Sequence, residues 1–152
     1  MSIERTLVLI KPDGVQRGLA GTVLSRLEQK GLKLVALKML HVSDDLASRH
    51  YSAHTEKPFY KDLVSFITSS PLIALVLEGP KAVDAVRTTM GGTNPLEAQP
   101  GTIRGDFGLD IEHNIIHGSD SPESAVHEIG LFFSVEEVFT YNRDVDRWVI
   151  GS

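Results

Sequence analysis

Residues 6–10 (TLVLI) form a short unbroken apolar run closed by Lys11, Pro12, Asp13 and Gly14. A run of that length bounded by turn residues predicts a strand buried on both faces, followed by a turn with Lys11 at its start. Over residues 19–30 the period changes. Leu19, Val23 and Leu27 recur every fourth position among Arg26, Glu28, Gln29 and Lys30, and Gly31 ends the run. That is the stripe of an amphipathic helix. Residues 32–42 (LKLVALKMLHV) mix alternation with apolar bulk and predict a long strand. Ser43 before Asp44 and Asp45 starts a helix to about His54, and Pro58 opens another in which Phe59, Leu63, Phe66 and Ile67 share one face.

Residues 72–77 (LIALVL) predict a second buried strand, closed by Glu78 and Gly79, after which Pro80 begins a helix to about Met90. Gly91 and Gly92 end it. Residues 91–108 show no periodicity and contain five glycines and two prolines, which marks a loop long enough to be functional. It leads into a strand over about residues 110–117. Ser121 and Pro122 open the last helix, with Ala125, Val126, Ile129, Phe132 and Phe133 as its buried face. Tyr141, Trp148, Val149 and Ile150 fall in a polar tail outside any regular pattern, and predict packing on a neighbouring subunit. Without the two insert helices and the last helix, the order is a double βαβ. It predicts an α/β (α+β) fold: a ferredoxin-like βαββαβ sandwich with a helical insert and a C-terminal helix and tail, one domain over residues 1–152.

A length of 152 with 41% hydrophobic and 23% charged residues fits one globular core, and no repeat or linker argues for a second. The net charge of −5 gives no field that draws nucleic acid or an anionic membrane. The absence of cysteine excludes a disulfide framework, a thiolate zinc site and a cysteine nucleophile, and fits a reducing compartment. Lys11 interrupts the first apolar run too early for a signal peptide, and no run reaches the ~18 residues of a membrane span. The expectation is a cytoplasmic protein with no membrane and no obligate nucleic-acid partner.

The chemistry centres on Asn114, Ile115, Ile116, His117, Gly118, Ser119, Asp120, Ser121, Pro122 and Glu123. Two β-branched residues deliver one imidazole to a strand end, and a capped helix opens just beyond. First-turn N–H groups of a helix have no intrahelical partners and favour an anion. Imidazole, with an ordinary pKa of about 6.5, keeps a free lone pair near neutral pH and is a competent nucleophile. The plainer reading is that His117 ends a strand and Ser121 caps a helix. No Walker, dinucleotide-binding, zincin or G-x-S-x-G motif is present.

A polyphosphate needs cations converging from several sides, and Lys11, Arg87 and Arg104 stand at element ends or in the long loop, with Thr93, Asn94 and Thr102 adding polar groups. Taken singly, each is equally a solvated charge. Glu128 on the last helix could orient one nitrogen of His117 or simply face solvent. Tyr51 and Phe59 could stack on a base or belong to the core. His50 and His54 at i, i+4 could ligate a metal; lacking a third ligand nearby, they read as an exposed pair.

Three segments carry a resemblance: Asn114 to Asp120 (N-x-x-H-G-S-D), Asn94-Pro95-Leu96 continuing into residues 100–108 (PGTIRGDFG), and Lys11-Pro12-Asp13-Gly14-Val15 with Arg17-Gly18. Over essentially its whole length the chain resembles nucleoside diphosphate kinases. The resemblance implies Mg²⁺-dependent ping-pong transfer of a γ-phosphoryl group, chiefly from ATP, to nucleoside diphosphates through phospho-His117, maintaining NTP and dNTP pools. It implies that Lys11, Tyr51, Arg87, Thr93, Arg104 and Asn114 touch phosphates and sugar, that Phe59 and Ile111 clamp the base, and that Leu63 is a pocket wall. Gly118 and Glu128 are similar to residues that shape and orient the histidine, and Ser119 to the hydroxyl beside it. Mg²⁺ would be held through nucleotide phosphates rather than by protein ligands. The long tail, ending Arg147-Trp148-Val149-Ile150-Gly151-Ser152, resembles that of hexameric forms, with a tetramer the alternative. A nucleotide-binding module and a phosphohistidine relay are the competing readings, and neither needs the full set of His117, Glu128, Phe59, Ile111 and three cations.

Overall fold

Four strands carry the site, and their order explains the apolar runs. The structure, a computed structural model, describes residues 2–151. Strands β1 (Ile3–Ile10), β2 (Lys33–Leu40), β3 (Leu72–Pro80) and β4 (Ile116–Gly118) form one antiparallel sheet in the order β2-β3-β1-β4, as expected for a ferredoxin-like core. Central strand β1 pairs along its whole length with β3, from Ile3↔Pro80 to Ile10↔Ile73, and at its end with β4 through Leu9↔His117.

Side chains alternate across a strand, so β1 feeds two cores. Val8 and Ile10 pack with Val23, Leu27, Leu75, Val86 and Met90, beneath α2 (Ala20–Gln29) and α5 (Ala82–Met90). Leu7 and Leu9 pack on the other face with Ala47, Ile67 and Phe132, from α3 (Asp44–His50), α4 (Tyr60–Ile67) and α7 (Pro122–Phe132). Each buried Val, Leu, Ile, Met or Phe side chain contributes about 1.5–3 kcal/mol, which anchors β1 on both faces.

Several expected boundaries move, each for a visible reason. The turn expected after β1 is a short helix, α1 (Pro12–Gln16), with Pro12 in its first turn where a missing N–H costs nothing. Pro80 ends β3 instead of opening the next helix; it occupies the strand's last ladder position, and Lys81 at φ 47° turns the chain into α5. The strand expected over residues 110–117 shrinks to β4, because Ile115 lies at φ 75° and breaks the extended path. That conformation is strained for a β-branched residue. Two contacts from the start of the chain hold it: Ile115 N donates to Asp13 Oδ2 at 3.0 Å, and Lys11 N donates to Ile115 O at 2.8 Å. In α7, Ser121 Oγ accepts from Ser124 N as the capping residue. Val126 is 74% exposed, not buried, since it lies one step around the helix from the stripe of Ala125, Ile129 and Phe132.

The long loop contains a further helix, α6 (Ile103–Phe107), whose cap Thr102 accepts from Gly105 N at 3.0 Å. A Cβ on Gly105 would fall 2.0 Å from the Gln99 carbonyl oxygen, a backbone atom that cannot step aside alone. Gly105→Ala is therefore expected to lower stability by about 1–3 kcal/mol, and an unchanged thermal midpoint would refute this.

The tail expected to pack on a neighbour first binds its own chain. Phe139 N donates to Val35 O at 2.9 Å, the Tyr141 hydroxyl donates to Leu34 O, and Arg143 donates to the carbonyls of Gly31 and Leu32. It closes with α8 (Asp146–Val149), where Trp148 stays 79% exposed. Ser152 lies outside the described residues. Among the described residues no helix is long and apolar enough to cross a membrane.

Candidate functional site

Pairing with β1 fixes His117. Ile116 and Gly118 are buried on one face of β4, which turns the imidazole between them into a cleft on the opposite side. Its Nε2 lies 2.9 Å from Glu128 Oε1, two turns along α7, and Ser119 Oγ donates to the same oxygen at 2.7 Å. A carboxylate accepts only, so the proton sits on Nε2 and Nδ1 keeps the free lone pair. Burial pushes the Glu128 carboxyl upward, yet the hydrogen bonds from His117 and Ser119 outweigh it, and the carboxyl stays below its ordinary range. Ser119 is fully buried beneath the cleft and acts on Glu128 rather than lining the opening.

The cations converge as expected, by different means. Lys11 Nζ donates to Asn114 Oδ1 at 2.5 Å, and Asn114 Nδ2 donates in turn to Thr93 O at 2.9 Å. Arg87 Nη1 donates to Gly118 O at 3.2 Å. Arg104, only 5% exposed, donates to the carbonyls of Asn114, Gly91 and Ile116, so it braces the backbone on both sides of Ile115 while lining the cleft. Burial, with Arg87 nearby, lowers its pKa to about 10, still charged at neutral pH.

The cleft has two compartments of about 450 and 460 Å³. The inner one is lined by His117, Gly118, Glu128, Arg87, Arg104 and Tyr51; the outer one by Ile111, Asn114, Phe66 and His113. Lys11, Phe59, Leu63 and Thr93 line both. The polar end thus lies at His117, and the exposed apolar side chains of Phe59 and Ile111 rim the other. Tyr51 caps α3, and burial raises its hydroxyl pKa to about 12, so it stays a neutral donor.

Two residues escaped the sequence reading. His50 is not part of an exposed pair: its side chain is 2% exposed, its ring stands edge-on to His117 at 4.9 Å, and its Nδ1 has no hydrogen-bond partner. Burial drives its pKa down to about 3. The signal was its i+3 spacing from Ala47 on the buried side of α3. Asp13, read as a turn residue, holds Ile115 in place, and no local pattern could have shown that.

The family model described as Nucleoside diphosphate kinase matches residues 4–138. A nucleoside diphosphate kinase from Thermomicrobium roseum is 57% identical over 98% of this chain and 100% of its own, and one from Archaeoglobus fulgidus is 56% identical over 97% of each. Among solved structures, a nucleoside diphosphate kinase family protein from Babesia bovis superposes with a TM-score of 0.94 at 47% identity, covering 96% of this chain and 99% of that one. A halophilic nucleoside diphosphate kinase from Halobacterium salinarum, solved in complex with CDP, gives 0.95 at 51% identity, covering 97% and 99%. With matches of this extent and identity, this chain belongs to the nucleoside diphosphate kinase family.

Proposed function

We propose that this kinase works by a two-step relay on His117. The Nδ1 lone pair attacks the γ-phosphorus of a nucleoside triphosphate, chiefly ATP, and the bond to the departing diphosphate breaks. A nucleoside diphosphate then binds in the same cleft, and its terminal phosphate oxygen takes the phosphoryl group from Nδ1. The observation that carries this reading is the anchored tautomer, with Nε2 committed to Glu128 and Nδ1 left free among Lys11, Arg87 and Arg104. A loose phosphoryl transition state asks mainly for placement and charge neutralisation, and these cations supply both. Tyr51, Thr93 and Asn114 complete the phosphate and sugar contacts, Gly118 leaves room beside the nucleophile, and Leu63 walls the pocket between Phe59 and Ile111. Stacking between those two side chains reads a face that every base offers, so low base selectivity follows.

Mg²⁺ fits this donor set as an ion carried on the nucleotide, because Lys11, Arg87 and Arg104 line the phosphate end; when bound it would neutralise phosphate charge. We take the chain as one catalytic domain over residues 1–152, cytoplasmic, sustaining NTP and dNTP pools. Leu96, Leu109 and Trp148, each more than 70% exposed, offer apolar surface for assembly into a homohexamer, the tetramer being the alternative. Light scattering distinguishes the two.

The test is the intact mass of the protein after brief exposure to Mg·ATP and a chase with GDP. One acid-labile phosphoryl group gained, then released as GTP, is expected; nucleotide binding without that mass would overturn the relay. Lys11 adds a pH signature. Burial is the main cause that lowers its pKa from 10.5 to about 8, with Arg104 adding to it and Asp13 opposing. The folded protein loses that proton near pH 8 while the unfolded chain keeps it to 10.5, so between these values the unfolded state binds more protons and stability rises with pH. Phosphate binding needs the charge, so ADP affinity is expected to fall by up to about tenfold per pH unit above pH 8. Lys11→Gln should flatten that profile; a flat wild-type profile from pH 7 to 10 would contradict it.

A further inference from the structure

Relay chemistry leaves one group at the centre idle. The His50 imidazole is buried and directs an unpartnered Nδ1 toward the carboxylate that anchors His117. That Nδ1 lies 3.9 Å from Glu128 Oε2, while His117 Nε2 lies 2.9 Å from Glu128 Oε1. One donor atom from each of the three residues falls within 4.8 Å of the others. Ligands held about 2.0–2.1 Å from a tetrahedral zinc sit about 3.4 Å apart, so small side-chain adjustments within this cluster are enough to seat the ion. Two histidines and one glutamate with an open fourth position are a donor set that zinc accepts.

We propose that His50 Nδ1, His117 Nε2 and Glu128 form a protein-held site for a first-row divalent cation, Zn²⁺ foremost, whose occupation switches the nucleophile off. This ion is separate from the one carried on the nucleotide. In the empty site the single imidazole proton of His117 sits on Nε2, facing Glu128. A zinc ion takes the Nε2 lone pair, so that proton must reside on Nδ1, and the nitrogen facing the phosphoryl position has no lone pair left to attack. The Nε2–H bond breaks and an Nδ1–H bond forms, the proton passing through solvent water, so the ring keeps its net charge; the switch is a tautomer change locked by a metal bond. Lys11, Arg87 and Arg104 line the same compartment and repel the ion, which keeps the site weaker than a closed structural zinc centre and lets it empty. His54 and His127 also line the compartment but fall outside the three-residue convergence.

The binding half of this proposal stands by itself, and the switching half rests on the relay through His117. The full chain, stripped of metal, is titrated with Co²⁺ in the absence of nucleotide, the visible absorption is followed, and Zn²⁺ is then added to displace it. Wild type and His127→Gln are expected to bind one ion per chain with the intense bands of four-coordinate cobalt. His50→Gln should weaken zinc by at least about tenfold, and Glu128→Gln should reproduce the loss if His50→Gln proves unstable. Zinc should also block the phosphoryl mass gain from Mg·ATP, and a zinc-selective chelator should restore it. Spectra of hexa-aquo cobalt only, or equal zinc affinity in wild type and both site variants, would overturn the site. Normal phosphoryl uptake by the zinc-saturated protein would overturn the switch. Stoichiometric zinc binding by a protein that takes no phosphoryl group even when metal-free would support the site and count against the relay instead.

Discussion

His117→Ala is expected to lower phosphoryl transfer by at least about four orders of magnitude and to abolish the phosphoryl mass gain altogether. No neighbour can stand in: His50, with its ring 4.9 Å away, is buried beneath the site, and the Ser119 hydroxyl is turned onto Glu128. The variant should still fold. It loses one hydrogen bond to Glu128, about 1–3 kcal/mol, while Ser119 continues to donate to the carboxylate. Nucleotide affinity should be held within a few fold, because Lys11, Arg87 and Arg104 are untouched. Intact mass, turnover and a nucleotide titration on the same preparation separate the two effects. A variant that keeps even a hundredth of the wild-type rate would sink the assignment of the nucleophile.

The largest effect on stability is expected at Arg104. Its guanidinium donates to three backbone carbonyls: Asn114 O at 3.3 Å, Gly91 O at 3.1 Å and Ile116 O at 2.6 Å. Arg104→Ala takes that donor from all three, leaving Asn114 O only its bond from Ile116 N, and removes the brace on both sides of strained Ile115. We expect a loss of about 3–5 kcal/mol, a large part of the 5–15 kcal/mol typical of a domain. Arg104→Lys should recover little, since one ammonium on a flexible stem cannot reproduce a planar fork that reaches three acceptors. Relaxation at Ile115 would also displace His117 two residues on, so kcat should fall along with the urea midpoint. An alanine variant within about 1 kcal/mol of wild type would refute the bracing role.

What could be read without coordinates was the local physics. The TLVLI run announced a strand buried on both faces, Ser121-Pro122 a capped helix, and the glycine-rich segment after Met90 a working loop. His117 could be placed at a strand end because the cues lie within five residues of it. Elements fixed by distant partners carry no local cue: the strand before His117 is shorter than its apolar pattern predicts, since Asp13, about a hundred residues earlier, holds the bend at Ile115. Pro80 looked like a helix opener because its place opposite Ile3 is a property of the ladder, not of its neighbours. His50 was read as exposed for the same reason. Its burial depends on Phe132 and His117 packing against its ring, and neither is near it in sequence.

The short strand that presents His117 has a single ladder partner, and closing that ladder brings together groups as far apart as Leu7 and Ser119, 112 positions along the chain. Helices form in about a microsecond from local contacts, whereas long-range strand pairing waits on the loss of chain freedom across the whole intervening segment. Refolding chains should therefore regain their circular dichroism well before they regain turnover. A ribosome-bound fragment ending before residue 116 would hold every cation of the cleft and no catalyst. Competence in this protein is expected to arrive last, together with completion of the sheet.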